Sequence, residues 1–244
     1  RQDAHVAHLG VYPIGINAPA FEKEIGLARL EQEEKRLRDT HAHKRIVLSV
    51  ERLDYTKGIL RRLEAIERFL EITPQRDEIV FIFVSVPSRG EVPAYQELSA
   101  QIESMVGRIN GKYATIHNTP IRFIHSSVSF TELCSLYCTA DVMMVTPLID
   151  GMNLVAKEYA ACRRNNDGVL ILSEFTGAAN ELSHAIVVNP YDVDQMTVAL
   201  EQALEMPLKE QASRMSPMRD HVLRNNSRRW ARRTRRSLCC SRIW

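Results

Sequence analysis

From Arg45 onward, short apolar runs alternate with segments whose apolar residues recur at helical spacing, and few architectures accommodate that alternation. Arg45–Val50, Glu78–Val86, Ile121–Ile124, Val142–Val145, Val169–Leu172 and Ala185–Val188 read as strands. Between them, Leu60, Leu63, Ile66 and Phe69/Leu70 mark one helix, and Tyr95, Leu98, Ile102 and Met105 another. Further helical stretches are expected near 130–138, 152–162, 176–182 and 192–205. Strands that are apolar on both faces and separated by helices belong to a parallel sheet covered on both sides. Right-handed crossovers then give an α/β, doubly wound, mostly parallel Rossmann-like domain. Residues 17–44 read as a polar connection with one charged helix, Leu27–Leu37. The expected division is an inter-domain segment and connection over 1–44, the Rossmann-like domain over 45–223 and a basic tail over 224–244.

The 244 residues, 45% of them apolar, suffice for a large core. No apolar run is long enough to span a bilayer. The chain opens on Arg1-Gln2-Asp3-Ala4-His5, with neither Met nor an apolar leader, and is expected to be part of something longer. Its formal charge of +2 conceals an asymmetry. Eight arginines and no acids lie between Arg224 and Trp244, so the preceding residues carry −6. The body therefore gives no reason to expect a nucleic-acid partner, and the tail reads as solvated and disordered, or as non-native sequence. Five scattered cysteines form no disulfide framework, and Cys134 and Cys138 read as buried thiols on a helix. The eight histidines show no metal-ligand spacing, and the pair His5 and His8 reads as loop residues. No metal or cofactor is expected.

A doubly wound sheet binds ligands beyond the carboxyl ends of its strands, so the strand-to-helix turns carry the functional information. No GxGxxG follows the first strand or occurs elsewhere. Gly107-Arg108-Ile109-Asn110-Gly111-Lys112-Tyr113 is one residue short of a P-loop, lacks its hydroxyl and follows a helix. The dehydrogenase and P-loop readings fail there. The first turn, Glu51-Arg52-Leu53-Asp54-Tyr55-Thr56-Lys57-Gly58, sends two cations toward the next helix opening. Fixed positive charge beside free helix amides suits a diphosphate, although surface cations would look the same. The second turn runs from Thr146 to Glu158. Gly151 allows close approach of a ligand to the backbone, and Asp150 is either a helix cap or a ligand for hydroxyls. Glu158 lies further along, about 12 Å away if the helix rises about 1.5 Å per residue. That distance is comparable to the span from a sugar, across a diphosphate, to a ribose. In the third turn, Ser173 to Glu181, small residues permit close approach of either a ligand or a neighbouring element.

Together these turns resemble the retaining glycosyltransferase family of trehalose-6-phosphate synthase. The resemblance also rests on Tyr12-Pro13-Ile14-Gly15-Ile16, Ser88 to Tyr95 and Val106 to Tyr113, and it runs from about Gly10 to about Trp230. It implies the C-terminal, donor-binding half of a GT-B enzyme, with residues 45–223 as the nucleotide-sugar domain. The implied reaction moves glucose from UDP-glucose to glucose 6-phosphate with retention, releasing UDP. By the same resemblance Arg52 and Lys57 hold the diphosphate and Asp150 the transferred glucose, and these three are the catalytic candidates. The donor would also meet Val128, Gly151, Met152, Asn153, Leu154, Val155, Ala156 and Lys157, with Glu158 on the ribose and Arg89 on the acceptor phosphate. The implied partners are the missing N-terminal domain and, for the whole enzyme, another copy of itself; no membrane is expected, and the location is the cytoplasm. The family usually has Arg where Ile149 stands, many members have Arg at Ser126, and the pattern dissolves after about Trp230. A glucosylglycerol-phosphate synthase and a catalytically silent regulatory subunit of the same family remain as alternatives.

Overall fold

The computed structural model describes residues 10–88 and 91–240. Two helices come first, α1 (Ala18–Ile25) and α2 (Ala28–Thr40), followed by β1 (Arg45–Arg52), α3 (Ile59–Ile72), β2 (Ile79–Val86), α4 (Pro93–Tyr113) and β3 (Ile121–Ile124). The chain continues through α5 (Phe130–Thr139), β4 (Val142–Val145), α6 (Leu154–Cys162), β5 (Val169–Ser173) and β6 (Ile186–Val188) to α7 (Val193–Glu205), α8 (Leu208–Arg224) and α9 (Ser227–Cys240). The six strands form one sheet in the order β3-β2-β1-β4-β5-β6, with every neighbouring pair parallel. This is the doubly wound arrangement the strand–helix alternation predicts.

Side chains of a strand alternate between its faces, and here each face has its own core. Ile46, Leu48, Val80 and Ile82 pack on one side with residues of α1, α5, α6 and α8. Val47, Phe81 and Phe83 pack on the other with α3, α4 and α7. Complete burial of a large apolar side chain is worth about 1.5–3 kcal/mol, so two such layers outweigh local propensity. That explains where the sequence reading and the fold part company. The supposed connection before Lys44 holds two helices, and Ile16, Phe21, Ile25 and Leu30 are buried in the first core. The helix expected near 176–182 is only a short 3-10 turn, Gly177–Asn180, because Thr176 caps it and the chain turns directly toward β6. Helix α8 was not anticipated, although Gln211, Met215, Met218 and Val222 are buried at helical spacing.

The expectation of a disordered tail is corrected for Ser227–Cys240, which forms α9. Its first turns are fastened to the opening segment. Ser227 N donates to Ile16 O at 2.8 Å, and Trp230 Nε1 donates to Tyr12 O at 2.9 Å. Gly15 lies so close to the Asn225–Asn226 backbone that a Cβ there would overlap the Asn225 carbonyl.

Two glycine substitutions should therefore act in opposite directions. Gly15→Ala should lower stability by roughly 1–3 kcal/mol, because backbone must move to admit the methyl group. Gly107 is exposed within α4 with nothing near its would-be Cβ, so Gly107→Ala should raise stability by about 1 kcal/mol. Thermal unfolding of the two variants beside the parent measures both.

Candidate functional site

The sheet reverses its winding between β1 and β4, which pair directly at Val47↔Val142 and Leu48↔Met143. The loops leaving these neighbouring strands go to α3 and α6, and a cavity of about 280 Å³ opens between them. Arg52, Lys57 and Asp150 line it together with residues 152–155, and Glu51 forms part of its wall. Two segments far apart in sequence, the loops that follow β1 and β4, therefore meet at one cavity.

Each wall is shaped by its own chemistry. After β1, Asp54 accepts from the Thr56 amide and hydroxyl at 2.9 and 2.8 Å, which folds Tyr55–Lys57 into a 3-10 turn. Gly58 follows with φ +67°, a conformation that strains other residues, and its Cα faces the Thr146 carbonyl too closely for a Cβ. Leu148 N donates to Thr56 O at 2.7 Å, tying the two loops together. Beyond β4, the Asp150 backbone bridges to Thr176, and Gly177 N donates to Asp150 O at 3.0 Å. A Cβ at Gly177 would overlap the Gly151 carbonyl. The small residues of the third turn thus serve close packing of that turn on the second.

Lys57 Nζ lies 2.7 Å from Asp150 Oδ2, with both side chains mostly buried. Burial alone would push the Asp150 carboxyl up. The Lys57 hydrogen bond and charge, with bonds from Met152 N and Asn153 Nδ2, outweigh it and hold the carboxyl below its ordinary value. Asp150 is not the helix cap. That role falls to Asn153, whose Oδ1 accepts from Ala156 N at 3.0 Å and whose φ is +61°. The cap leaves the amides of Leu154 and Val155, which have no acceptor within the helix, at the cavity wall. Arg52 is exposed at the cavity, and its side chain makes no hydrogen bond or ion pair among the described residues. The site therefore offers one free guanidinium, one ammonium shared with a carboxylate, and a helix N-terminus. Fixed cations beside a helix N-terminus are chemically suited to an anion, and the carboxylate beside them can accept hydrogen bonds.

Other expected residues fall elsewhere. Glu158 does not line the cavity; its Oε2 accepts from Tyr137 OH at 2.9 Å, and burial raises its carboxyl more than that bond lowers it. Ala156 is buried. Lys157 turns away from the cavity and donates to Ile14 O at 2.9 Å and Glu181 Oε1 at 2.6 Å. Its side chain is thus committed to holding the opening segment. Gly151 is exposed beside Asp150, and nothing in the protein lies within 4 Å of a Cβ built there. Val128 lines a separate groove of about 240 Å³ between α2 and α5. Arg89 and the pair His5 and His8 lie outside the described residues. Cys134 and Cys162 are buried free thiols, and Cys138 is partly buried. No described helix is long and apolar enough to cross a membrane, and no described trio of His, Cys, Asp or Glu could hold a metal ion.

Glu51 lies within the first turn without an expected role, and Arg62 and Tyr137 lie outside the three turns. Arg62 left a trace, since it lies on the same helix face as the buried Ile59, Leu63, Ile66 and Phe69. A charge on an apolar stripe has to find a buried partner.

Fold and site together define a Rossmann-type domain with a cation-bearing cleft at its switch point. Residues 1–239 match Glycosyltransferase family 20, and the chain belongs to that family. It is 42% identical over 235 residues to trehalose-6-phosphate synthase of Mycobacterium avium, covering 94% of this chain and 47% of that protein. A crystal structure of an alpha,alpha-trehalose-phosphate synthase (UDP-forming) from Burkholderia xenovorans in complex with glucose-6-phosphate superposes with a TM-score of 0.90 at 40% identity, covering 94% of this chain and 51% of that one. A structure described as trehalose-6-phosphate from E. coli bound with UDP-2-fluoro glucose gives 0.89 at 42% identity, with the same two coverages of 94% and 51%. The chain spans about half the length of these relatives.

The ion pair makes a testable claim about acid behaviour. A carboxyl held below its unfolded value contributes stability that is present above that value and is lost as pH falls through the folded one. In Lys57→Met the Asp150 titration should move upward, because its main charge-stabilising partner is gone. The Asp150 carboxyl carbon, followed by NMR against pH, reads this directly. An unchanged midpoint would mean that other groups hold the carboxyl.

Proposed function

We propose that this chain carries the donor site of a retaining glucosyltransferase, as the C-terminal half of a GT-B enzyme. The reaction is transfer of glucose from UDP-glucose to glucose 6-phosphate, giving trehalose 6-phosphate and UDP. The observation that carries this reading is the convergence of Arg52, Lys57 and Asp150 on one cleft at the β1/β4 switch point, in a member of Glycosyltransferase family 20. Its relatives include UDP-forming trehalose-phosphate synthases, and solved relatives are described with glucose-6-phosphate and with UDP-2-fluoro glucose.

In this reading the diphosphate sits between Arg52, Lys57 and the amides opening α6. The leaving UDP gains negative charge as the glycosidic bond breaks. Cations and amides already fixed in place favour that state over the ground state, because they need not reorganise. Lys57 exchanges part of its contact with Asp150 for phosphate oxygen, and Asp150 is then free to accept from glucose hydroxyls. Glu158, held by Tyr137, takes the ribose diol at the far end, since a carboxylate accepts two hydrogen bonds. The acceptor phosphate is assigned to Arg89 on the family resemblance alone. Turnover requires the part of the enzyme that this chain does not span, whereas donor binding does not.

Calorimetry with UDP, UDP-glucose and uridine tests the assignment. A charge-assisted hydrogen bond is worth about 1.5–3 kcal/mol, and about 1.4 kcal/mol corresponds to ten-fold in affinity. Arg52→Ala and Lys57→Ala should each weaken UDP about ten-fold or more and leave uridine unchanged. Equal losses for both ligands would move these residues away from the phosphates.

A further inference from the structure

One buried guanidinium ties the loop after β1 to the end of β4. Arg62 is completely buried, 0% exposed, within α3. Its Nη1 donates to both carboxylate oxygens of Glu51, each at 2.7 Å, at the end of β1. Its Nε donates to Thr146 Oγ1 at 2.9 Å, just past β4. Its Nη2 donates to the backbone carbonyl of Lys57 at 2.9 Å. The ring of Phe83 lies beneath the cation, 5.9 Å from its centroid. Glu51 and Lys57 both line the cavity, and Arg62 does not.

We propose that Arg62 is a positioning residue for diphosphate binding: its guanidinium fixes the Lys57 turn against the end of β4 and cancels the Glu51 charge in the cleft wall. The inference deepens the donor-site reading above and rests on it. Two physical needs meet in this residue. First, the two cleft walls belong to strands that share only two residue pairs, so contacts beyond the strand ends must set their spacing. A planar guanidinium can address three acceptor groups at once, whereas an ammonium cannot take the same fork geometry. Second, a cleft built for a diphosphate contains a carboxylate in its own wall. Left unpaired, Glu51 would repel the ligand. Burial already pushes the Glu51 carboxyl upward, and the Arg62 charge and hydrogen bonds pull against that shift.

The test uses the full chain with UDP and uridine as probes, calorimetry for affinity and thermal unfolding for stability. Arg62→Met removes both the anchor and the cancelling charge, and UDP affinity should fall about ten-fold or more while uridine affinity is unchanged. The pair Glu51→Gln with Arg62→Met buries no unpaired charge and keeps the site measurable if the single variant fails to fold. It should recover the melting temperature to within a few degrees of the parent but only part of the UDP affinity, because Lys57 and Thr146 still lack their shared donor. A folded Arg62→Met that binds UDP like the parent, or a double variant that does so, overturns the proposal. So does an equal loss for uridine. If the unaltered chain binds no UDP, the donor-site reading fails and the inference with it. A parent that binds UDP alongside variants that bind it equally well removes the inference alone.

Discussion

A parallel sheet wound in both directions must somewhere place two strands side by side whose following helices leave toward opposite faces. In this chain that place is the β1–β4 junction, with α3 on one face and α6 on the other. The divergence of the two loops makes a cleft without any residue selected for it. Every charged group of the candidate site takes its position from that constraint. Arg52 and Lys57 ride on the loop to α3, Asp150 on the loop to α6, and the third turn closes behind Asp150 through Thr176 and Gly177.

Much of this was legible in the residues because the signals were local. Strands such as Ile121–Ile124 and Val142–Val145 stand in the structure as the apolar runs mark them. Arg52, Lys57 and Asp150 lie in turns beyond strand ends, where a doubly wound sheet binds ligands, and the family resemblance singles them out among the residues there. Less visible were features decided by distant partners. Lys157 sits inside a motif that resemblance assigns to the ligand, yet its side chain serves the opening segment, 143 residues earlier in the chain. The direction of a side chain at a helix start depends on what packs around the helix, and no window of sequence contains that. The same holds for residues 17–44, which look polar in composition but bury Phe21 and Leu30 on the sheet.

The Arg-rich segment shows how composition misleads when tertiary anchors exist. Apart from Arg224, which pairs with Asp220, its arginines have no acids nearby in sequence, which argues for a solvated coil. Helical structure follows instead from what its first residues grip. Trp230 reaches the Tyr12 carbonyl and Ser227 the Ile16 carbonyl, so the start of α9 is fixed by residues more than 200 positions away. Propensity then suffices to continue a helix whose nucleus has been formed by tertiary contacts.

The pairing of β1 with β2 runs over eight residues, whereas that of β1 with β4 runs over two. One wall of the cleft is therefore a stiff plank and the other is fastened beside it mainly by loop and side-chain ties. The gap between them behaves like a gauge set by adjustable screws: a change in a buried helix residue can widen or narrow it while the groups lining it stay the same. A lineage could in this way retune its fit to differently sized ligands from behind the wall, leaving no mark on the surface that touches them.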